Sequence, residues 1–172
     1  EIPGLPGENR GSFGDAPPVL AAHGIFGPLP PEHSMDFRLT DDQQMIQAAA
    51  REFAQQEIAP VAHEFDQSGA FPSENIRKAG ELGFMGMMVS PEWGGAGFDT
   101  VSYVLAMEEI SKVAASVGVI MSVNNSLVCY GIEKWGTKEQ KEKYLTPLAS
   151  GQKLGAFCLS EPEAGSDLAA IR

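Results

Sequence analysis

Residues 114–128 form a long apolar stretch with few charges, and a helix that is apolar on most of its sides has to be covered by other elements. The chain therefore needs a bundle of partner helices around this one, which is expected to be its most buried element. Those partners are legible on both sides of it. Thr40 and Gln43 stand in the T-x-x-Q arrangement of a capping box, where each side chain satisfies an orphan backbone N–H, so a helix is expected to start near Asp41. Its apolar positions Ile46, Ala49, Ala50, Phe53 and Ala54 recur at three- and four-residue steps on one face. Pro60 predicts a break near Ala59, with a short second helix from Val61 to about Asp66. Ser73 is expected to cap a third helix carrying Ile76, Ala79 and Leu82 and ended by Gly83. Residues 84–91 read as extended or irregular chain, and the glycines of residues 93–97 (WGGAG) as a loop. Asp99 or Thr100 then restarts a helix to about Lys112. Beyond the apolar helix, Thr137 and Gln140 repeat the capping box and open a charged helix through Leu148 that stops at Ser150-Gly151.

Two segments fall outside this helical texture. Residues 1–34 are crowded with Gly and Pro, lack periodicity, and are expected to be a disordered extension ahead of a natural start at Met35. With Arg10 as their only basic residue apart from His, they fit neither a secretory signal nor a mitochondrial presequence. At the other end, residues 154–159 are a short apolar run that suits a strand, followed by loop-forming residues 160–167. A single strand leaves its backbone donors and acceptors without partners, so the chain is expected to be a fragment. The expected organisation is mainly α: an extension over 1–34, a helical domain over 35–151, and the truncated start of a β region over 152–172.

Charge and cysteine content narrow the function classes. With 12 basic and 23 acidic residues the net charge is -11, which argues against a broad nucleic-acid surface, because phosphate neutralisation needs clustered Lys and Arg. Cys129 and Cys158 lie in no CxxC or Cys/His spacing, and His23, His33 and His63 show no ligand spacing, so no metal site is expected. No uninterrupted apolar run reaches the roughly 18 residues of a spanning helix, so the protein is expected to be soluble, without membrane insertion.

Chemistry concentrates near the carboxy-terminal end. Residues 157–166 (FCLSEPEAGS) place a hydroxyl, a carboxylate, a proline turn, a small residue, a glycine and a second hydroxyl in close succession. The residues alone leave two readings open: a loop whose amides and hydroxyls approach a polar ligand, or an ordinary turn whose Ser and Asp bond their own backbone. Three other features carry a bland and a functional reading. Met85, Met87 and Met88 suit core filling or a flexible binding surface. Trp93 suits a packed anchor or a lid. Asn124, Asn125 and Ser126, unusual on an apolar helix, suit local bonding or a site-facing edge.

Residues 158–170 (CLSEPEAGSDLAA) resemble the first signature of the acyl-CoA dehydrogenase family at every defined position: small residue, aliphatic, Ser/Thr, Glu, two free, small, Gly, Ser/Thr, Asp, two free, small. Upstream stretches resemble the family in order and spacing, among them MDFRLTDDQQMI from Met35, EIAP from Glu57, ELGFMG from Glu81, PEWGGAG from Pro91, EEIS from Glu108 and GTKEQKEKYLTPLASG from Gly136. The stretches VNNSLVCYGIEKWGT and GAFCLSEPEAGSD look most like the short-chain, butyryl-CoA branch. The resemblance implies the amino-terminal helical bundle of that fold, ending in the first strand of its middle β domain.

For the complete protein it implies FAD-dependent α,β-dehydrogenation of short-chain acyl-CoA to trans-2-enoyl-CoA. Electrons would pass to an electron-transfer flavoprotein, and the assembly would be a homotetramer in a bacterial cytoplasm or a mitochondrial matrix. The alternatives are a non-catalytic helical fragment or interaction module, or a related acyl-CoA oxidase. By the same resemblance, Phe157, Cys158, Leu159, Ser160, Glu161, Pro162, Glu163, Ala164, Gly165 and Ser166 lie along FAD. Backbone groups around Leu159 and Ser160 then face the isoalloxazine ring, and Ser166 also contacts the acyl-CoA. The catalytic glutamate is expected in a carboxy-terminal domain outside this chain, so no residue here is assigned as catalytic and Glu161 is expected to order its own loop.

Overall fold

The computed structural model describes residues 37–171, and the helical body lies in a unit that begins at Arg38. Residues 1–34, expected to be disordered, lie outside the described residues. Helix α1 (Asp41–Phe53) starts at the capping box: the Thr40 hydroxyl accepts the Gln43 N–H at 3.2 Å and Gln43 Oε1 accepts the Thr40 N–H at 3.1 Å. Its stripe buries Ile46, Ala50 and Phe53, with Ala54 just beyond, while Ala49 faces solvent. The stripe packs chiefly on α4 (Thr100–Val113), whose N-cap Asp99 accepts the Ser102 N–H at 2.8 Å.

Pro60 does not break the chain where expected. A π-helical turn, Ala54–Ile58, joins α1 directly to α2 (Ala59–Ser68), and the Ala59 N–H reaches back to the Ala54 carbonyl. The wider turn places Pro60 in the first turn of α2, the part of a helix that best tolerates a proline. In α3 (Ser73–Glu81) the capping position belongs to Pro72, so Ser73 is the first helical residue and caps nothing. Ile76 and Ala79 are buried, but Leu82 is exposed at the helix end, just before Gly83 turns the chain with φ 81°.

Residues 84–98 fold back on themselves through short 3-10 turns, Phe84–Gly86 and Pro91–Trp93, closed by bonds from the Ala96, Gly97 and Phe98 amides to the Gly86, Val89 and Met87 carbonyls. Met85 and Met87 are fully buried, which fits core filling, and half-buried Trp93 packs against the cluster of Val89, Cys129, Leu145, Leu148 and Ala149 with the Lys141 ammonium 5.7 Å above its ring.

The apolar stretch forms α5 (Ala115–Ser122), a π-helical segment Val123–Cys129, and α6 (Tyr130–Trp135), one continuous helix of 21 residues. By length and composition alone this helix could cross a membrane, a property the shorter run visible in sequence does not have. Nor is it the most buried element. Val117, Met121, Asn124, Asn125 and Cys129 face inward, while Val119, Leu127 and Tyr130 are exposed. Composition reports that all sides are apolar; which sides are covered depends on which neighbours are present. The second capping box forms as expected at Thr137 and Gln140 and opens α7 (Lys138–Gln140), which continues through the π-helical Lys141–Leu145 into α8 (Thr146–Ala149). Among the described residues there is no strand: the run expected to be one, residues 154–159, has no ladder partner.

Candidate functional site

The segment that carries the signature leaves the helical body after Gly151, whose φ of 73° turns the chain out of α8. The Lys153 N–H returns to the Pro147 carbonyl at 2.9 Å. Gly155 then comes close against the long helix: a Cβ on it would lie 2.6 Å from Val128 Cγ1, and its N–H donates to Asn124 Oδ1 at 3.0 Å. From there Phe157, Cys158, Leu159 and Ser160 are exposed. Glu161 and Ala164 exchange two backbone bonds, N–H to carbonyl at 2.8 and 3.2 Å, and so close a tight loop over Pro162 and Glu163. Ala164 is buried beneath this loop, and Glu161, Pro162, Glu163 and Ala170 line an open cavity of about 270 Å³. Asp167 accepts the Ala169 N–H at 3.2 Å and starts the turn Leu168–Ala170.

All ten residues singled out from sequence therefore belong to one continuous, largely exposed segment. Both readings of that segment find a counterpart: the Glu161–Ala164 and Asp167 bonds are ordinary turn chemistry, while neighbouring groups are left free. Among the described residues, the amides of Leu159 and Ser160 and the hydroxyls of Ser160 and Ser166 make no hydrogen bond within the chain. Nothing within 4 Å occupies the place of a Cβ on Gly165. A row of free donors beside an open glycine is a donor set that fits an anionic or carbonyl-rich ligand such as the pyrimidine end of a flavin. No group of His, Cys, Asp and Glu suited to a metal ion occurs among the described residues.

Sequence reasoning missed the role of the two asparagines. Asn124 and Asn125 are fully buried and neither face a site nor bond locally alone. Asn124 Nδ2 donates to the Met85 and Leu148 carbonyls at 2.8 and 3.1 Å, and Asn125 Nδ2 donates to those of Phe84 and Met121 at 2.9 and 3.0 Å. Asn125 Oδ1 accepts the Met87 N–H at 2.8 Å. Ser126 does bond locally, to the Ser122 carbonyl at 2.8 Å. Two adjacent amides in an apolar helix were the available signal, because a buried amide must find partners on both its oxygen and its nitrogen.

The fold is a capped helical body that presents an exposed Ser/Glu/Gly loop at its carboxy-terminal edge, and comparison with known proteins gives its class. The pattern of the acyl-CoA dehydrogenase N-terminal domain matches residues 40–152. This chain belongs to the acyl-CoA dehydrogenase family. The short-chain specific acyl-CoA dehydrogenase of Clostridium acetobutylicum is 50% identical over 133 residues, which are 77% of this chain and 35% of that protein. A chain in the solved structure of the electron transferring flavoprotein of Acidaminococcus fermentans is similar with a TM-score of 0.76 and 48% identity, over 79% of this chain and 36% of that one. The butyryl-CoA dehydrogenase of Megasphaera elsdenii follows with a TM-score of 0.74 and 41% identity, over 80% and 37%. This chain thus spans about a third of the length of the relatives it matches.

Proposed function

We propose that this chain is the amino-terminal part of an FAD-dependent enzyme that dehydrogenates short-chain acyl-CoA thioesters to trans-2-enoyl-CoA and passes the electrons to an electron-transfer flavoprotein. The observation that carries this reading is the free donor set of Leu159, Ser160 and Ser166, set within the family signature at residues 158–170. Similarity to a short-chain specific and a butyryl-CoA dehydrogenase supports the chain length, and similarity to a chain from the flavoprotein structure supports the partner. In this reading residues 35–151 are the helical domain and residues 152–172 open the next one. The whole enzyme would be a homotetramer, in the cytoplasm of a bacterium or in the mitochondrial matrix of a eukaryote, since relatives of both kinds are about equally similar.

Bound FAD would supply the acceptor for the hydride that leaves the β-carbon. Leu159 and Ser160 would hold it through their backbone amides, and fixed N–H dipoles stabilise negative charge developing on a ring without any reorganisation. Gly165 keeps the approach open, and the Ser166 hydroxyl would meet the thioester. The backbone of Glu161 closes its own loop, and by the family resemblance the α-proton goes to a carboxylate elsewhere in the complete protein. Anaerobic mixing of the full-length protein with butyryl-CoA tests this: bleaching of the flavin band is expected, and a persistently yellow solution would overturn it. Rapid reoxidation in air without a partner protein would replace the dehydrogenase reading with an oxidase one.

A further inference from the structure

We propose that Asn124 and Gly155 are positioning residues that fix where the flavin-contacting segment departs from the helical body; the inference rests on the FAD reading above. Asn124 is fully buried, and its one amide group joins three separate parts of the chain. Its nitrogen donates to the carbonyls of Met85, in the turn after α3, and Leu148, in α8, while its oxygen receives the Gly155 N–H at 3.0 Å. One helical turn further along, Val128 fills the space where any side chain on Gly155 would go, at 2.6 Å from Cγ1 and 2.8 Å from Cβ. The backbone therefore lies flat on the helix at this point because residue 155 is glycine.

Between this anchor and the Glu161–Ala164 loop, residues 156–160 make no hydrogen bond within the chain among the described residues. Upstream, the Leu159 and Ser160 amides are thus tied to the helical body at residue 155, four and five residues away, and downstream they run into the Glu161–Ala164 loop. Asparagine suits position 124 because it both donates and accepts: Asp would lose the donations to Met85 and Leu148, and an apolar residue would lose the bond from Gly155 as well. Asn125 is an internal comparison, also buried and bonded through both its nitrogen and its oxygen, but with no bond to residue 155.

The test uses full-length protein and reads FAD affinity by flavin fluorescence, the visible flavin spectrum, and thermal unfolding of the apoprotein. Gly155→Ala is expected to weaken FAD binding at least about tenfold, since small displacements of a supporting shell propagate to the groups it aims. Val128→Gly in the same chain removes the obstructing atoms, and the double variant is expected to recover most of the affinity and the wild-type spectrum. Asn124→Ser should shift the flavin spectrum, whereas Asn125→Ser should lower stability and leave the spectrum of the bound flavin unchanged. Wild-type affinity in Gly155→Ala, or no recovery in the double variant, overturns the positioning role alone. Absence of FAD from the parent protein overturns the functional reading and this inference together.

Discussion

Among the described residues, Glu109 is the one charged side chain buried in the helical body. Its carboxylate is 5% exposed on α4 and collects four donors: Arg51 Nε and Nη2 at 3.0 Å each, Lys112 Nζ at 3.1 Å and Gln47 Nε2 at 3.3 Å. Hydrogen bonding from Arg51, opposed by burial and reinforced by Lys112, pulls its pKa from 4.5 down to about 2. At about 1.4 kcal/mol per unit, that difference is worth on the order of 3 kcal/mol, and nearer 2 because both cations stand half in solvent and are screened. A depressed carboxylate pKa contributes stability that is full above the unfolded value and is lost as pH falls through the folded one. Wild-type protein should therefore lose this contribution between about pH 5 and pH 2. Glu109→Gln keeps the shape but turns an NH₂ toward the donors, and at pH 7 it should cost about 2–3 kcal/mol in urea unfolding. The gap between wild type and variant should close as pH falls toward 2. A cost under about 1 kcal/mol, as for an ordinary surface pair, or a gap that stays constant with pH, would refute the reasoning.

Two further outcomes follow from packing. Gly86→Ala should destabilise by about 1–3 kcal/mol in thermal or urea unfolding, because its Cβ would meet backbone that cannot rotate away: the Ala149 carbonyl oxygen lies 2.6 Å from it and Ala149 Cα 2.7 Å. Burial beside Glu133 pushes the Cys129 thiol up to about 12, whereas Cys158 is exposed. Iodoacetamide near neutral pH should add one label to the native chain, at Cys158, and a second only after unfolding, as read by intact mass; native labelling at Cys129 would contradict its burial.

Much of the helical frame was legible because helix ends are local events. The boxes at Thr40/Gln43 and Thr137/Gln140 form as expected, and of the two expected starting points Asp99 and Thr100 the helix takes Thr100, with Asp99 as its cap; each is decided within four residues. The readings that failed depend on what lies further away. Pro60 fails to end a helix because the preceding turn widens, and no local preference announces a π-turn. Ala49 and Leu82 continue apolar stripes by spacing, yet no neighbour covers them. The candidate site was legible as a string of residues, since the signature is continuous, but its attachment to the body was not. The Asn124–Gly155 bond spans 31 positions, and nothing near Gly155 in sequence points to Val128.

The sequence by itself determined the family, the order of the helices, the starting points of those opened by a capping box, and which ten residues form the exposed loop, because periodicity, caps and a dense motif are read over short spans. Tertiary structure alone decided which face of the long helix is covered, how two asparagines are satisfied inside an apolar setting, and where the loop departs from the body. Those outcomes rest on contacts between segments far apart in the chain, and burial, unlike capping, is a property of neighbours.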